Sequence, residues 1–123
     1  MIIFRDEQDI VTKLNEHDEL ILQCSRGELS WSDFLSRYND FPWYYALDGH
    51  ESDEEEKILL QRYKKRIDTH LAFADQFLSY LCKDEDSKKE EYIKAGRFGT
   101  DVASDKIKTF VLKYYSINNK QAT

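Results

Sequence analysis

The stretch SDEEEKILLQRYKKRIDTHLAFADQFLSYLC, residues 52–82, decides the fold. Leu59, Tyr63, Ile67, Leu71, Ala74, Leu78 and Leu81 follow one another at intervals of three or four, with Ile58, Phe73, Phe77 and Cys82 widening the stripe. Apolar residues at that period lie on one face of an α-helix. Ser52-x-x-Glu55 has the form of a capping box, and Asp53, Glu54, Glu55 and Glu56 sit where the positive end of a helix dipole favours carboxylates. The spacing predicts one long helix over about 53–82, roughly 45 Å from end to end.

The remainder of the chain agrees with a helical domain. The 123 residues contain four Gly and one Pro, too few turn formers for a β-sandwich, while 41% apolar and 34% charged residues suit amphipathic helices. The length fits a single domain able to bury its own core. We expect one domain over 1–117 and a polar tail, 118–123, that frays. No run of about 18 apolar residues is present, and the opening MIIFRDEQDI lacks the basic and apolar regions of a signal peptide. A cytoplasmic location is the expectation, in which Cys24 and Cys82, each on an apolar stripe, stay reduced.

Outward from the long helix, Asp6 to Cys24 carries a helical stripe (Ile10, Val11, Leu14, Leu20, Ile21, Cys24) that reads as one helix or as two with a break near His17 and Asp18. Arg26-Gly27 has the form of a helix C-terminus. Ser30 precedes Trp31, Phe34, Leu35 and Tyr38, whose i, i+3, i+4, i+7 spacing predicts a two-turn aromatic helix. Pro42 then permits a short helical turn over Trp43 to Leu47. Beyond the long helix, Ser87-x-x-Glu90 predicts a short helix stopped by Gly96, and Thr100 or Asp101 predicts the cap of a last helix bearing Ile107, Phe110, Val111 and Tyr114.

Chemistry-bearing patterns are sparse. His50 among Asp48, Glu51 and Asp53, and His17 among Glu16, Asp18 and Glu19, lack any metal-ligand spacing, so neither a metal nor a cofactor is expected. No catalytic residue is assigned. The charge layout is more informative: residues 1–56 hold 15 acids and four bases, a net of −11, against nine acids and 14 bases, a net of +5, over residues 57–123. Six carboxylates fall within residues 48–56 (Asp48, Glu51, Asp53, Glu54, Glu55, Glu56), next to Trp43, Tyr44 and Tyr45. A helical turn does not readily bury two adjacent tyrosines. Exposed aromatics beside a carboxylate rim have the composition of a protein interface that steers in a basic partner.

Two resemblances bear on these residues. Residues 27–56, GELSWSDFLSRYNDFPWYYALDGHESDEEE, followed by a long amphipathic helix, resemble small acidic all-helical immunity proteins of bacterial polymorphic-toxin and contact-dependent growth inhibition systems. That resemblance implies binding of a cognate toxin domain, often a nuclease, with its active site blocked and nothing catalysed. Separately, Arg66 and His70, beside Arg62, Lys64 and Lys65, resemble the Arg and His pair of helical ribonucleases of the HEPN superfamily, although three residues intervene here where that motif has four to six.

The reading is therefore an all-α, single-domain bundle of five to seven helices around the helix at about 53–82. Its function is read as non-enzymatic binding of a toxin domain with a basic surface, through Trp43, Tyr44, Tyr45, Asp48, Glu51, Asp53, Glu54, Glu55 and Glu56. Neither membrane nor direct nucleic-acid binding is expected. A ribonuclease using Arg66 and His70, or a helical adaptor or regulatory subunit, are the alternatives.

Overall fold

The computed structural model describes residues 4–48 and 52–116. The expected tail at 118–123, Gly49, His50 and Glu51, and the side chain of Asp48 lie outside the described residues. Seven α-helices make up the described chain: α1 Glu7–Ser25, α2 Trp31–Arg37, α3 Phe41–Asp48, α4 Glu54–Arg62, α5 Lys64–Phe73, α6 Glu90–Lys94 and α7 Thr100–Val111. Wider π-helical turns, Ala74–Leu78 and Leu112–Ser116, extend α5 and α7. The domain is all-α, and no described helix is long and apolar enough to cross a membrane.

Helix ends follow the local chemistry where that chemistry is self-contained. Asp6 caps α1 by accepting the Asp9 N–H at 2.8 Å, and Ser30 caps α2 by accepting the Asp33 N–H at 3.1 Å. Gly27 ends α1 at φ 76°, with Glu28 N–H bonded to the Gln23 carbonyl and Gly27 N–H to that of Cys24. Gly96 ends α6 in the same way at φ 78°, a conformation that costs a side chain strain and glycine nothing. Helix α1 runs unbroken through His17 and Asp18.

The long central helix is a broken one. Its path covers 54–78, but Tyr63 leaves α-geometry at φ −102°, ψ 16°, and the chain changes direction between α4 and α5. Contacts from α1 hold that bend: Glu7 accepts from Arg62 at 3.0 Å and from the Tyr63 hydroxyl at 2.6 Å. Further on, Ser79 N–H and hydroxyl both bond the Ala74 carbonyl, closing the π turn, and the chain leaves the helix at Tyr80. Leu81 and Phe98 then form an isolated parallel bridge, with Cys82 N–H donating to Phe98 O at 2.9 Å and Phe98 N–H to Tyr80 O at 3.0 Å.

Three caps differ from the expected ones. The cap of α4 is Asp53, which accepts the Glu56 N–H at 2.8 Å, so the box starts one residue later than Ser52. Helix α7 is capped from a distance: Gly99 occupies the cap position, and the Asp84 carboxylate accepts both the Thr100 N–H, at 2.7 Å, and its hydroxyl, at 2.9 Å. The Ser87 hydroxyl donates to the Asp84 carbonyl, tightening the turn that presents Asp84, and does not cap α6.

The interior forms two apolar clusters. One joins the C-terminal half of α1 to α2, the end of α5 and α7 through Ile21, Phe34, Phe73, Phe77, Phe98, Ile107 and Phe110. The other joins the N-terminal half of α1 to α3, α4 and α5 through Phe4, Ile10, Leu14, Trp43, Leu60, Ile67 and Leu71. Both cysteines are free, and burial pushes the Cys24 thiol up to about 11. The second cluster is closed by a buried carboxylate: Glu56, 2% exposed, accepts the Phe4 N–H at 2.8 Å and the Tyr45 hydroxyl at 2.7 Å. Glu56 therefore ties the segment before α1 and helix α3 to α4. Glu56→Ala is expected to destabilise the domain by about 2–4 kcal/mol, since hydrogen bonds to a charged group contribute about 1.5–3 kcal/mol each and their donors are orphaned. Glu55→Ala, on the exposed side of the same helix, is expected to change stability by no more than about 0.5 kcal/mol. Urea midpoints of the two variants decide the point.

Candidate functional site

The residues nominated from sequence divide between surface and core. Trp43 is fully buried, its ring 5.0 Å from that of His70 and 6.0 Å from that of Phe4, and it serves as core rather than as a contact for a partner. Glu56 is likewise interior, and Tyr45 is half-buried with its hydroxyl on Glu56. Burial removes Trp43 and Glu56 from any interface because neither can meet a partner without opening the second apolar cluster. Tyr44, Asp53, Glu54 and Glu55 remain at the surface.

The fold adds residues that sequence proximity did not bring to them. The N-termini of α1 and α4 lie side by side, so that Asp6 and Glu7 face Asp53 and Glu55 across a groove of about 290 Å³, with exposed Ile58 on its wall. Asp6 and Asp53 each cap their helix, and Glu7 is held below the usual carboxylate range by hydrogen bonds from Tyr63 and Arg62. Among the described residues the Glu55 side chain has no hydrogen-bond partner. On α3, Phe41 and Tyr44 share a face at i, i+3 and are both exposed; the Tyr44 hydroxyl donates to Asp75 at 2.9 Å. Phe41 was not singled out from sequence because nothing local distinguishes an exposed aromatic from a core one. Asp6 and Glu7 lie some 50 residues from the acidic run, and only the tertiary contact shows them beside it.

Most of the basic cluster at the junction of α4 and α5 is committed internally. Arg62 pairs with Glu7 at 3.0 Å, Lys64 with Asp68 at 2.7 Å and Arg66 with Asp18 at 2.6 Å. A basic stripe whose charges are met by neighbouring carboxylates offers little to a phosphate backbone.

His70 occupies the seam between the two apolar clusters and is completely buried. Its Nε2 lies 2.8 Å from Asp18 Oδ1 and its Nδ1 2.6 Å from the Tyr38 hydroxyl. Asp18 also accepts from Arg66 and from the Tyr115 hydroxyl at 2.8 Å. Burial raises the Asp18 carboxyl, but the hydrogen bonds from His70, Arg66 and Tyr115 outweigh it and leave the group below the usual range, hence ionised. Burial lowers the His70 ring against the pull of Asp18, with His17 and Arg66 adding to the lowering, so the ring is neutral. One tautomer satisfies both contacts: Nε2–H donates to Asp18 while Nδ1 accepts from Tyr38, whose phenol is raised by burial and by Asp40 and Asp18. His17 packs edge-on against Trp43 and Tyr38, its Nδ1 donating to the Lys13 carbonyl.

This arrangement uses both ring nitrogens of His70 and gives the ring no access to solvent, so the pair Arg66 and His70 presents no proton-transfer group to a substrate in this conformation. Among the described residues no three His, Cys, Asp or Glu side chains are grouped to hold a metal ion. Comparison with family models, with curated proteins and with solved structures returned no match.

The buried ring makes stability depend on pH. The folded His70 binds its proton less readily than an unfolded histidine of pKa about 6.5, so below that pH the unfolded chain holds the extra proton and stability falls. The Asp18 contribution is present above the unfolded aspartate value, near 3.9, and is lost only as pH drops further. The urea midpoint is expected to fall between about pH 7.5 and 5.5, and to fall less in His70→Gln. An equal slope in that variant would assign the dependence elsewhere.

Proposed function

We propose that this chain is a non-enzymatic protein-binding module that receives a basic surface of its partner on the acidic face built from the N-termini of α1 and α4, with exposed Ile58 as its apolar contact. The convergence of Asp6, Glu7, Asp53 and Glu55 around the exposed side chain of Ile58 carries the reading. Capping accounts for Asp53, and internal bonding for Glu56. Glu54, whose nearest cation Lys57 stands 3.8 Å away, and Glu55 are surplus to the needs of α4. The positive end of the α4 dipole favours these carboxylates, and a cation brought by a partner would add to that stabilisation. An apolar side chain among them supplies contact area as the carboxylates supply steering.

Such a surface suits a toxin domain whose substrate is itself anionic. A nuclease active site is lined with Lys and Arg to bind phosphate, and a carboxylate face can occupy it in place of the nucleic acid. We accordingly place the chain with the small acidic immunity proteins that residues 27–56 resemble, acting in the cytoplasm on a cognate toxin domain. An adaptor or regulatory subunit would use the same face toward a different basic partner.

The test is kinetic. With the partner recovered on immobilised protein and identified, stopped-flow association is measured at about 50 and 300 mM salt for the wild type and for Glu54→Gln/Glu55→Gln. Neutralising the pair is expected to slow association by about an order of magnitude at low salt and to flatten its salt dependence. Unchanged rates at both salt concentrations would reject the acidic face as the interface.

A further inference from the structure

A second concavity lies in a different part of the molecule, between α2 and the segment that links the π turn after α5 to α7. Its volume is about 570 Å³, within the range of small-ligand sites. Leu78 and Leu81 line it, and Leu35 of α2, 48% exposed, stands at its wall. Leu35 falls at helical spacing with the buried Phe34 and Tyr38, yet it is left facing this space. The groove is apolar over most of its surface.

Its charge runs against that of the whole protein. Arg97 and Lys83 both line it, and its one carboxylate, Asp86, is met by Lys89 at 2.8 Å. Lys83 has no acceptor among the described residues. Arg97 is held in place from two sides, its guanidinium 5.1 Å from the Tyr92 ring centre and its Nη2 donating to the Leu81 carbonyl at 3.3 Å. Nevertheless its Nε–H is buried without a hydrogen-bond partner. A buried unsatisfied donor costs about 1–3 kcal/mol, more on a charged group, and few such groups persist in a folded protein without a role. A guanidinium that lines such a groove can take a carboxylate through charge-assisted hydrogen bonds.

We propose that this groove binds a small amphipathic carboxylate, its head group on Arg97 and Lys83 and its hydrocarbon chain along Leu35, Leu78 and Leu81. The site is preorganised in its base: the bridge between Leu81 and Phe98 fixes the floor, and Asp84, by capping α7, fixes the segment that carries Lys83. An anion there offsets Arg97 and Lys83, which outnumber the one carboxylate of the groove.

Decanoate serves as the probe, with decan-1-ol as the uncharged control, in amide-resolved NMR titrations of the full chain. Decanoate is expected to shift amides confined to residues 35, 78–83 and 97–100, and decan-1-ol to bind at least tenfold more weakly. Lys83→Gln, at an exposed position, is expected to weaken decanoate severalfold, and Leu35→Asp to abolish binding by placing a carboxylate in the groove. Arg97→Gln is expected to abolish it as well, and its amide spectrum reports whether the Tyr92 and Leu81 contacts survive the change. Equal binding of acid and alcohol, shifts scattered over the whole surface, or full affinity in Lys83→Gln and Leu35→Asp would overturn the proposal.

Discussion

The hydrogen-bonded chain from Tyr38 through His70 to Asp18 is the constraint on which the rest of the bundle depends. Apolar packing alone tolerates sliding of one helix along another, but buried His70 and Tyr38 bonded in line with the half-buried Asp18 do not, because each displaced partner leaves a donor or acceptor unsatisfied at about 1–3 kcal/mol. The chain ties α2 to α5 and α5 to α1 at distances of 2.6 and 2.8 Å. Tyr115 adds the end of the chain to the same carboxylate. It can do so because the π turn after α7 advances fewer degrees per residue than an α-helix, so that Tyr114 and Tyr115 both lie against Phe110. Trp43 covers the ring from α3. Five elements thus converge on one imidazole.

That convergence explains which parts of the fold were legible in the sequence. Helix existence, the Gly27 and Gly96 stops and the cap at Ser30 depend on residues within one turn of each other, and all of them could be read directly; the cap at Asp6 is equally local but was not read. The break at Tyr63 could not. Leu60 and Ile67, both buried, stand seven apart and keep the apolar stripe in register across it. Glu7, more than 50 residues away, meets Arg62 and Tyr63 at the break, a contact that no local pattern shows. The cap of α7 is a second case: Asp84 is 16 residues from Thr100, whereas the local reading offered Thr100 or Asp101. His17 and Asp18 read as a polar interruption of α1, yet one turns inward to Trp43 and Tyr38 and the other to His70. A polar residue with a buried partner is indistinguishable in sequence from one facing water.

The same limit applied to the acidic run. Carboxylate density located the region, but it did not separate Asp53, which caps, and Glu56, which is the interior tie, from Glu54 and Glu55, which face solvent. The helical period contains part of the answer: Glu56 lies four before the buried Leu60 and so on the inner face, while Glu54 and Glu55 lie on the outer one. Trp43 follows similarly, since Tyr44 and Trp43 are successive residues of one helical turn and the larger ring takes the interior. What no period supplies is the approach of Asp6 and Glu7, set by the packing of two helix N-termini.

Charge supplies the remaining link between this fold and binding. The acidic first half and the basic second half are joined by Arg62 to Glu7 and Arg66 to Asp18, so the fold itself draws on the asymmetry. Those pairs fall where α5 and its bend meet α1, and they leave Glu54 and Glu55 beyond their reach. The other paired cations of the second half, Lys64, Lys89 and Lys94, lie against Asp68, Asp86 and Glu90 within their own helices and turns. Arg62 stands 3.0 Å from Glu7 and Lys57 3.8 Å from Glu54, which leaves Glu55 the exposed carboxylate of that face with neither an ion pair nor a capping bond among the described residues. In the proposed complex its energy would fall when a partner brings in the opposite charge.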